Sequence, residues 1–498
     1  MVQVGLNNEM SLARNYFYNT LLQVTNVLMP LVTAPYVARV LLSHGVGLAA
    51  FSLAQVQYFC LLAGLGINLY GSRTLAEVRD DEDRFSDRFW ELFLLKSLTS
   101  ALALVCYLGF VILTGVSPRN VFLWQSLYIV SVWLDTGYVF AAKEDFRWPV
   151  FCAITMRLLT LIPLFTLVRT PDDTVVYVAI GACAVIGSQL GLWLQARRMV
   201  RFRRPRLQNA GKHFFPMLKL FLPMVAIQIY TVLDRTILGW LASLDEVGYY
   251  ENSQKLLKIS LQLIVSVGVV MVPRISYLAS RKDQLEIQRQ AERVFDYITY
   301  ASVLLLAGMA GLSDVFIPFY FGEAFRPAVA VTQLMCPIIL FIGWSNFLGL
   351  QIMVPMKKES WFTLSVSAAA ALNLGGNLLL IPRWGAKGAA MATVAAEASV
   401  VLIQLFFVHR LLKLLPLFRE TWKHALAGVL TFLFFRRFPD VFAHQILDFL
   451  LRGTLGCVLY VMLEFVLRSQ INRYIFQRLS QIVKNRLTRG GTTRENTR

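Results

Sequence analysis

From Arg14 to Arg468 the chain alternates long apolar runs with short polar or basic breaks. A helix rises 1.5 Å per residue, so about 20 apolar residues cross the hydrocarbon core of a bilayer. Scanned on that length, the pattern predicts fourteen spans: 14–40, 46–70, 89–115, 121–142, 149–168, 175–197, 216–241, 247–272, 295–315, 328–355, 361–382, 387–408, 422–436 and 446–468. The thirteenth is the shortest, because only Ala425 to Phe435 is cleanly apolar. Residues Met1 to Met10 contain Asn7, Asn8 and Glu9, and the first apolar run is too long for a cleavable signal, so it reads as a retained signal-anchor.

Composition agrees with the pattern. Hydrophobic residues make up 56% of the chain and charged residues only 16%, with a mean hydropathy of +0.56. A soluble domain carries about 25% charge, so this chain cannot cover its surface in water. The six cysteines fall inside predicted spans and read as small apolar core residues. Of the five histidines, His213, His409 and His424 fall among basic loop residues, and no metal-ligand spacing is present.

The net charge of +18 would suggest nucleic acid in a soluble protein. Here its distribution gives topology instead. Of the 48 Lys and Arg, thirty-four lie in the segments on the N-terminal side of alternate spans and eight on the other side. By the positive-inside rule both termini are cytoplasmic, and the charge excess needs no nucleic acid partner. The tail from Arg468 carries Ile471, Tyr474, Ile475, Leu479, Ile482 and Val483 between basic residues, which predicts an amphipathic helix on anionic lipid.

The segment Gly45-Val46-Gly47-Leu48 with Ser52 recurs as Glu246-Val247-Gly248-Tyr249 with Ser253 at an offset of 201 residues, and Gln55 is echoed by Gln254 at an offset of 199. Both copies sit at the external turn between the first two helices of a half. A looser third echo is Gly385-Ala386-Lys387-Gly388-Ala389-Ala390. The organisation read from this repeat is a cytoplasmic N-terminus (1–13), an N-lobe of six helices (14–197), a basic linker (198–215) and a C-lobe of six helices (216–408). A final pair (409–468) and the tail (469–498) follow.

Several stretches resemble polysaccharide repeat-unit flippases, the O-antigen, capsule, exopolysaccharide and teichoic acid exporters. They are Asn15-Tyr16 through Pro30, Pro35-Tyr36, Arg39-Val40-Leu41, Gln57-Tyr58-Phe59, Gly66 to Gly71 with Arg73, Asp234-Arg235, Gly248-Tyr249-Tyr250, Pro273-Arg274 and Phe321-Gly322-Glu323-Ala324-Phe325. These flippases share a superfamily with lipid II flippases and multidrug and toxic compound extruders. The resemblance implies an all-α integral membrane fold of about fourteen helices. In it two six-helix lobes surround a central cavity, with two C-terminal helices added and alternating access as the mechanism. It also implies a bacterial cytoplasmic membrane, a lipid-linked glycan as cargo, contact with a glycan polymerase or biosynthesis complex, and a monomer. One departure is Trp133-Leu134-Asp135-Thr136-Gly137-Tyr138-Val139-Phe140, which lacks the glutamate that the family often carries there.

Ionisable groups at bilayer depth face a cavity or a partner, because exposing them to hydrocarbon costs at least about 2.5–3.5 kcal/mol each. Asp234 and Arg235 follow Gln228 and Thr231 along the seventh span, and Glu251, Lys255, Lys258 and Gln262 share a face of the eighth. The N-lobe adds Lys96, Asp135 and Arg157, with an uncharged stripe of Asn15, Asn19, Gln23 and Asn26 and the nearby Arg39. This set has surplus positive charge, which suits a diphosphate, while the amides suit sugar hydroxyls. The competing reading makes Asp234–Arg235 and Glu251–Lys255 ion pairs that lock helices, and the amide stripe interhelical glue. Lys258, Arg157 and Arg39 have no obvious acidic neighbour in sequence and are the better substrate candidates. Asp135, Asp234, Glu251 and Glu397 read as pairing or coupling residues, and Glu464 as paired or interfacial in preference to a proton carrier. Pro30, Pro35, Pro223, Pro273 and Pro337 would kink or end helices.

No Walker, HExxH or GxSxG motif occurs, and the largest internal loops are about twenty residues, so catalysis is not expected. No cofactor is expected beyond a coupling ion, Na⁺ or H⁺. The acidic run Asp80-Asp81-Glu82-Asp83 reads as a solvated face. The favoured cargo is an undecaprenyl-diphosphate-linked oligosaccharide. Lipid II is a close alternative, and a cation-coupled drug antiporter a more distant one, whose cavity would favour acids.

Overall fold

The computed structural model describes residues 2–205, 207–268, 271–281, 283–439 and 445–472. Within these, only the backbone is described at 2–16, 19, 207–208, 222–227, 229–230, 263, 265–268 and 445. Among the described residues every regular element is a helix. The chain divides into two compact units, one of residues 1–252 and 381–386, the other of 253–380 and 387–498.

The first unit opens with α1 (Val2–Gly64), α2 (Ile67–Ala76) and α3 (Glu82–Thr114), continues with α4 (Arg119–Leu134), α5 (Gly137–Ala142), α6 (Arg147–Leu167) and α7 (Thr174–Met199), and ends with α8 (Leu207–Leu241) and the start of α9 (Leu244–Gly268). Hydropathy sets the spans, and the breaks come from backbone chemistry. Leu42 interrupts α1 with φ 56° and ψ −173°, so the helix reverses at the predicted external turn. The predicted span 46–70 is itself broken, because Leu65 and Gly66 adopt φ of 40° and 74° before α2 restarts. The positive φ of Gly66 favours glycine there, since a side chain would be strained in that conformation; a Cβ would reach the Met217 carbonyl and the Phe221 amide of α8 at 3.4 Å, an ordinary contact. The predicted span 121–142 is likewise split at Asp135–Thr136 into α4 and α5.

Burial in this unit is inverted relative to a water-soluble protein. On α3, Lys96 is 1% exposed while Leu113 is 88% exposed. The outward face carries Leu102, Val105 and Ile112, the apolar coat a bilayer solvates. The inward face packs Phe85, Phe89 and Leu92 against Leu75 of α2, Tyr138 and Val139 of α5, and Met217 and Phe221 of α8.

The second unit holds the rest of α9 and α10 (Met271–Ser280), α11 (Gln284–Phe321), α12 (Ala328–Met335), α13 (Pro337–Asn346), α14 (Glu359–Val408), α15 (Leu414–Phe418), α16 (Thr421–Arg437) and α17 (Gln445–Val466). Pro337 starts α13, and a π-helical stretch Phe347–Met353 follows it, so the predicted span 328–355 is three pieces. The long α14 reverses at Gly385, φ 53°, within the third echo of the repeat. Helix α11 is the hub, packing against α13, α16 and α17. Close approach there uses small residues: a Cβ at Gly428 would lie 2.3 Å from Val303, and one at Gly456 2.0 Å from Phe435.

Among the described residues, eight helices are long and apolar enough to cross a membrane. Cys106, Cys183 and Cys457 are exposed, which corrects the expectation of core cysteines. A thiol is apolar enough to face hydrocarbon directly. His424 is not a loop residue but a fully buried member of α16. Of the predicted tail, Ile471 and Asn472 fold back, with the Asn472 amide donating to the Val461 carbonyl at 3.1 Å. Residues 473–498, and the amphipathic helix predicted there, lie outside the described residues.

Candidate functional site

The break between α4 and α5 creates the first polar feature of unit 1. Ending α4 at Leu134 leaves main-chain groups at Asp135 without helical partners. The Asp135 carbonyl accepts from the Lys96 ammonium, and the Asp135 carboxylate accepts from the Gly137 N–H at 2.8 Å. Lys96 also lies 5.3 Å from the Tyr138 ring centroid. Lys96 and Asp135 are thus brought together, but through a main-chain carbonyl in an enclosed setting.

Arg157 on α6 reaches across to α1, where its guanidinium donates to the Asn26 side-chain oxygen. Asn26 and Gln23 are exposed, one turn apart on α1, and Arg39 is exposed further along it. Asn19 is on the same helix, with its side chain outside those described.

On α8 three consecutive residues take three different partners, since successive side chains of a helix turn by about 100°. Asp234 accepts from the Tyr250 hydroxyl of α9. Arg235 Nε lies 2.6 Å from Glu251 Oε2, also on α9, with both side chains almost buried. Thr236 meets the Tyr58 hydroxyl at 3.0 Å and the Gln55 amide at 3.3 Å, both from α1. The Arg235–Glu251 ion pair therefore runs across two helices, a pairing that sequence adjacency did not suggest. In the second unit Lys255 is half-buried and Lys258 exposed, one and two turns further along α9, and Glu397 is half-buried on α14.

The three repeated turns are knit together. A Cβ on Gly47 would lie 1.7 Å from the Leu244 carbonyl, and one on Gly248 2.2 Å from the Ser43 carbonyl. These contacts are reciprocal, because Ser43 and Leu244 are themselves separated by the repeat offset of 201. Asp245 accepts from the Ser43 hydroxyl and lies 3.6 Å from His44. Glu246 accepts the Ala386 N–H at 2.7 Å, which caps the helix restarting after Gly385. Sequence reasoning found the glycines, named Glu246 only as part of the repeat and missed Asp245. The signal was present, since acids in the first turn of a helix favour its N-terminus.

At the basic side the acidic run is paired as well as solvated. Glu82 lies 2.8 Å from Arg201, Asp83 2.6 Å from Arg203, and Asp87 3.3 Å from Arg203. These contacts tie the linker to the first turns of α3.

Comparison with known proteins gives the arrangement a relationship. The polysaccharide biosynthesis protein family matches residues 12–279. The Escherichia coli (strain K12) protein named "Putative O-antigen transporter" is 26% identical, with the match covering 80% of this chain and 97% of that one. A protein of the same name from Shigella dysenteriae is 23% identical over 79% of this chain and 98% of its own. Among solved structures, the lipid II flippase MurJ in an inward closed conformation superposes with a TM-score of 0.73 at 15% identity, covering 91% of this chain and 99% of MurJ. An inward-facing multidrug transporter of the MATE family gives 0.59 at 10% identity, covering 78% and 94%.

Proposed function

The chain belongs to the polysaccharide biosynthesis protein family, and on that premise we propose that it is a flippase for a lipid-linked glycan. The proposed cargo is an undecaprenyl-diphosphate-linked oligosaccharide, a surface polysaccharide repeat unit. It moves from the inner to the outer leaflet of a bacterial cytoplasmic membrane. Fourteen crossings place both termini in the cytoplasm, and the lobes of 14–197 and 216–408 work by alternating access. Relatives named for O-antigen transport, matched over nearly their whole length, support the glycan. The fold likeness to a lipid II flippase supports lipid-linked cargo.

One observation carries the anionic part of this reading. Arg157 is held at bilayer depth by the neutral amide oxygen of Asn26. A guanidinium bonded to an amide keeps its positive charge available, and its planar fork fits diphosphate oxygens. The exposed Arg39, Gln23 and Asn26 of the same unit extend the contact to the rest of the headgroup. In the transport step, the three knitted turns part on the external side to release the glycan, and they close again behind it.

Reconstitution in liposomes tests the proposal, with a fluorescent polyprenyl-diphosphate glycan and a cationic dye offered separately under imposed Na⁺ or proton gradients. Movement of the glycan lipid without the dye is expected. Dye transport without lipid movement would replace the flippase with a drug antiporter, and transport restricted to lipid II would reassign the cargo.

A further inference from the structure

Three titratable side chains meet inside the second unit, apart from every residue named above for the glycan. They are Asp296 on α11, His424 on α16 and Glu464 on α17. His424 Nδ1 lies 2.7 Å from Glu464 Oε1, and His424 Nε2 lies 2.7 Å from Asp296 Oδ1. His424 and Glu464 are fully buried and Asp296 nearly so. Tyr300 of α11 sets its ring edge-on to the imidazole at 5.7 Å, and the Tyr460 hydroxyl of α17 donates to the Tyr300 carbonyl at 3.0 Å. The other titratable groups around the cluster are Tyr297 of α11, Cys457 of α17 and the Lys423–Glu420 pair, 2.7 Å apart, where α16 begins. Packed beside them, α13 and α15 present Trp344 and Phe418 around Phe295, neither of which titrates.

The contacts count protons. An ionised carboxylate only accepts hydrogen bonds, and a neutral imidazole donates from one nitrogen only. Two contacts at hydrogen-bond distance on opposite ring nitrogens need a proton in each. A neutral histidine between two carboxylates supplies one. The cluster therefore holds one further proton, carried either as imidazolium or on a carboxyl. It is not shaped for a metal: the carboxylates approach opposite edges of the ring and do not converge, and no cation-holding group of three is found among the described residues.

We propose that His424, Asp296 and Glu464 form a buried proton-binding site whose bound proton clamps α16 and α17 onto α11. Releasing that proton to water leaves a nitrogen lone pair facing a carboxylate oxygen in an enclosed interior, which opens one of the two contacts. The ligand is a hydron, and the site is separate from glycan recognition. The device gives the C-terminal pair a protonation-dependent attachment to the rest of the unit.

The test is denaturant unfolding of the full chain in lipid bicelles from about pH 7.5 to about pH 9.5, where free histidines and carboxylates carry no extra proton. The folded state binds one more proton than the unfolded state, so stability falls as pH rises. The wild-type folding equilibrium is expected to lose about tenfold per pH unit beyond the loss seen in Glu464→Gln. In that variant the Gln amide donates to a neutral imidazole, which donates in turn to Asp296, so no extra proton is needed and the fold is kept. Equal slopes in wild type and Glu464→Gln would overturn the proposal. If Glu464→Gln fails to fold, nitrogen-15 spectra of histidine-labelled wild type decide. The His424 ring is expected to keep one protonation state from about pH 5 to about pH 8. A His424 ring that titrates within that range would sink the clamp. Neither readout involves transport, so either result leaves the flippase proposal standing or falling on its own assay.

Discussion

The carboxylate of Glu246 accepts the backbone N–H of Ala386 at 2.7 Å, joining the first turn of α9 to the turn that restarts α14. Removing it strands an amide that no longer has its helix cap. Glu246→Ala is expected to cost about 1–3 kcal/mol, the usual penalty for an unpaired main-chain donor. Glu246→Gln keeps an acceptor oxygen and should lose less. Thermal unfolding of the two purified variants compares them directly, and an unchanged melting temperature in the alanine variant would remove the contact from the account.

Gly47→Ala drives a methyl group to 1.7 Å from the Leu244 carbonyl, where only backbone could yield. Gly248→Ala meets the Ser43 carbonyl at 2.2 Å. Both variants are expected to separate the repeated turns and abolish export in a complementation strain. Gly109→Ala, which meets nothing within 4 Å, serves as the control and should be silent.

The Arg235–Glu251 pair is almost buried at 2.6 Å. Deleting one partner of a buried ion pair costs about 3–5 kcal/mol. Arg235→Ala is therefore expected to lower the melting temperature sharply. The double change Arg235→Leu with Glu251→Leu should recover most of the loss, because two apolar side chains need no partner. A double variant as unstable as the single one would show that the pair has further essential contacts.

Arg157→Ala and Lys258→Ala are expected to impair glycan export while leaving membrane abundance unchanged. Immunoblotting of membranes alongside a surface-glycan assay separates the two quantities. Full export by both variants would remove these residues as substrate ligands.

Asp173 accepts from the Arg169 N–H at 2.9 Å and from the Thr170 N–H at 2.7 Å, with the Thr170 hydroxyl as a third donor at 2.9 Å. These donors hold its carboxyl below the usual carboxylate range. A lowered folded-state value contributes stability above the ordinary value of about 3.9 and loses it as pH falls through the folded value. The melting-temperature gap between wild type and Asp173→Asn is thus expected to be open at about pH 6 and to close on acidification below about pH 4. A gap that widens with acid would contradict the sign.

What the sequence disclosed and what it hid follow from the range of each interaction. Hydropathy is local and long, so helices such as α3, α6 and α11 are legible from their apolar runs. The breaks at Leu65–Gly66 and Asp135–Thr136 are not: the first is a local change of backbone conformation inside an apolar run, and the second is met by Lys96, distant in sequence. The same limit applies to charge pairing. Arg235 was visible as costly at bilayer depth, but helical spacing cannot tell an i+4 neighbour from Glu251 on the adjoining helix. His424 was obscured in another way: at the edge of the shortest predicted span, its basic neighbours make it read with the adjoining loop, while burial and two carboxylates from α11 and α17 make it a core residue.

The reciprocal contact of Gly47 with the Leu244 carbonyl and Gly248 with the Ser43 carbonyl has a bearing on descent. Each turn offers its partner the surface it accepts in return, the rule by which two copies of a single chain dimerise about a two-fold axis. Such a contact needs no covalent link to exist, so a half-length ancestor could already have assembled through it as a homodimer. A fusion of two such copies would leave each glycine's surroundings free to diverge, provided that the opposite carbonyl stayed within reach.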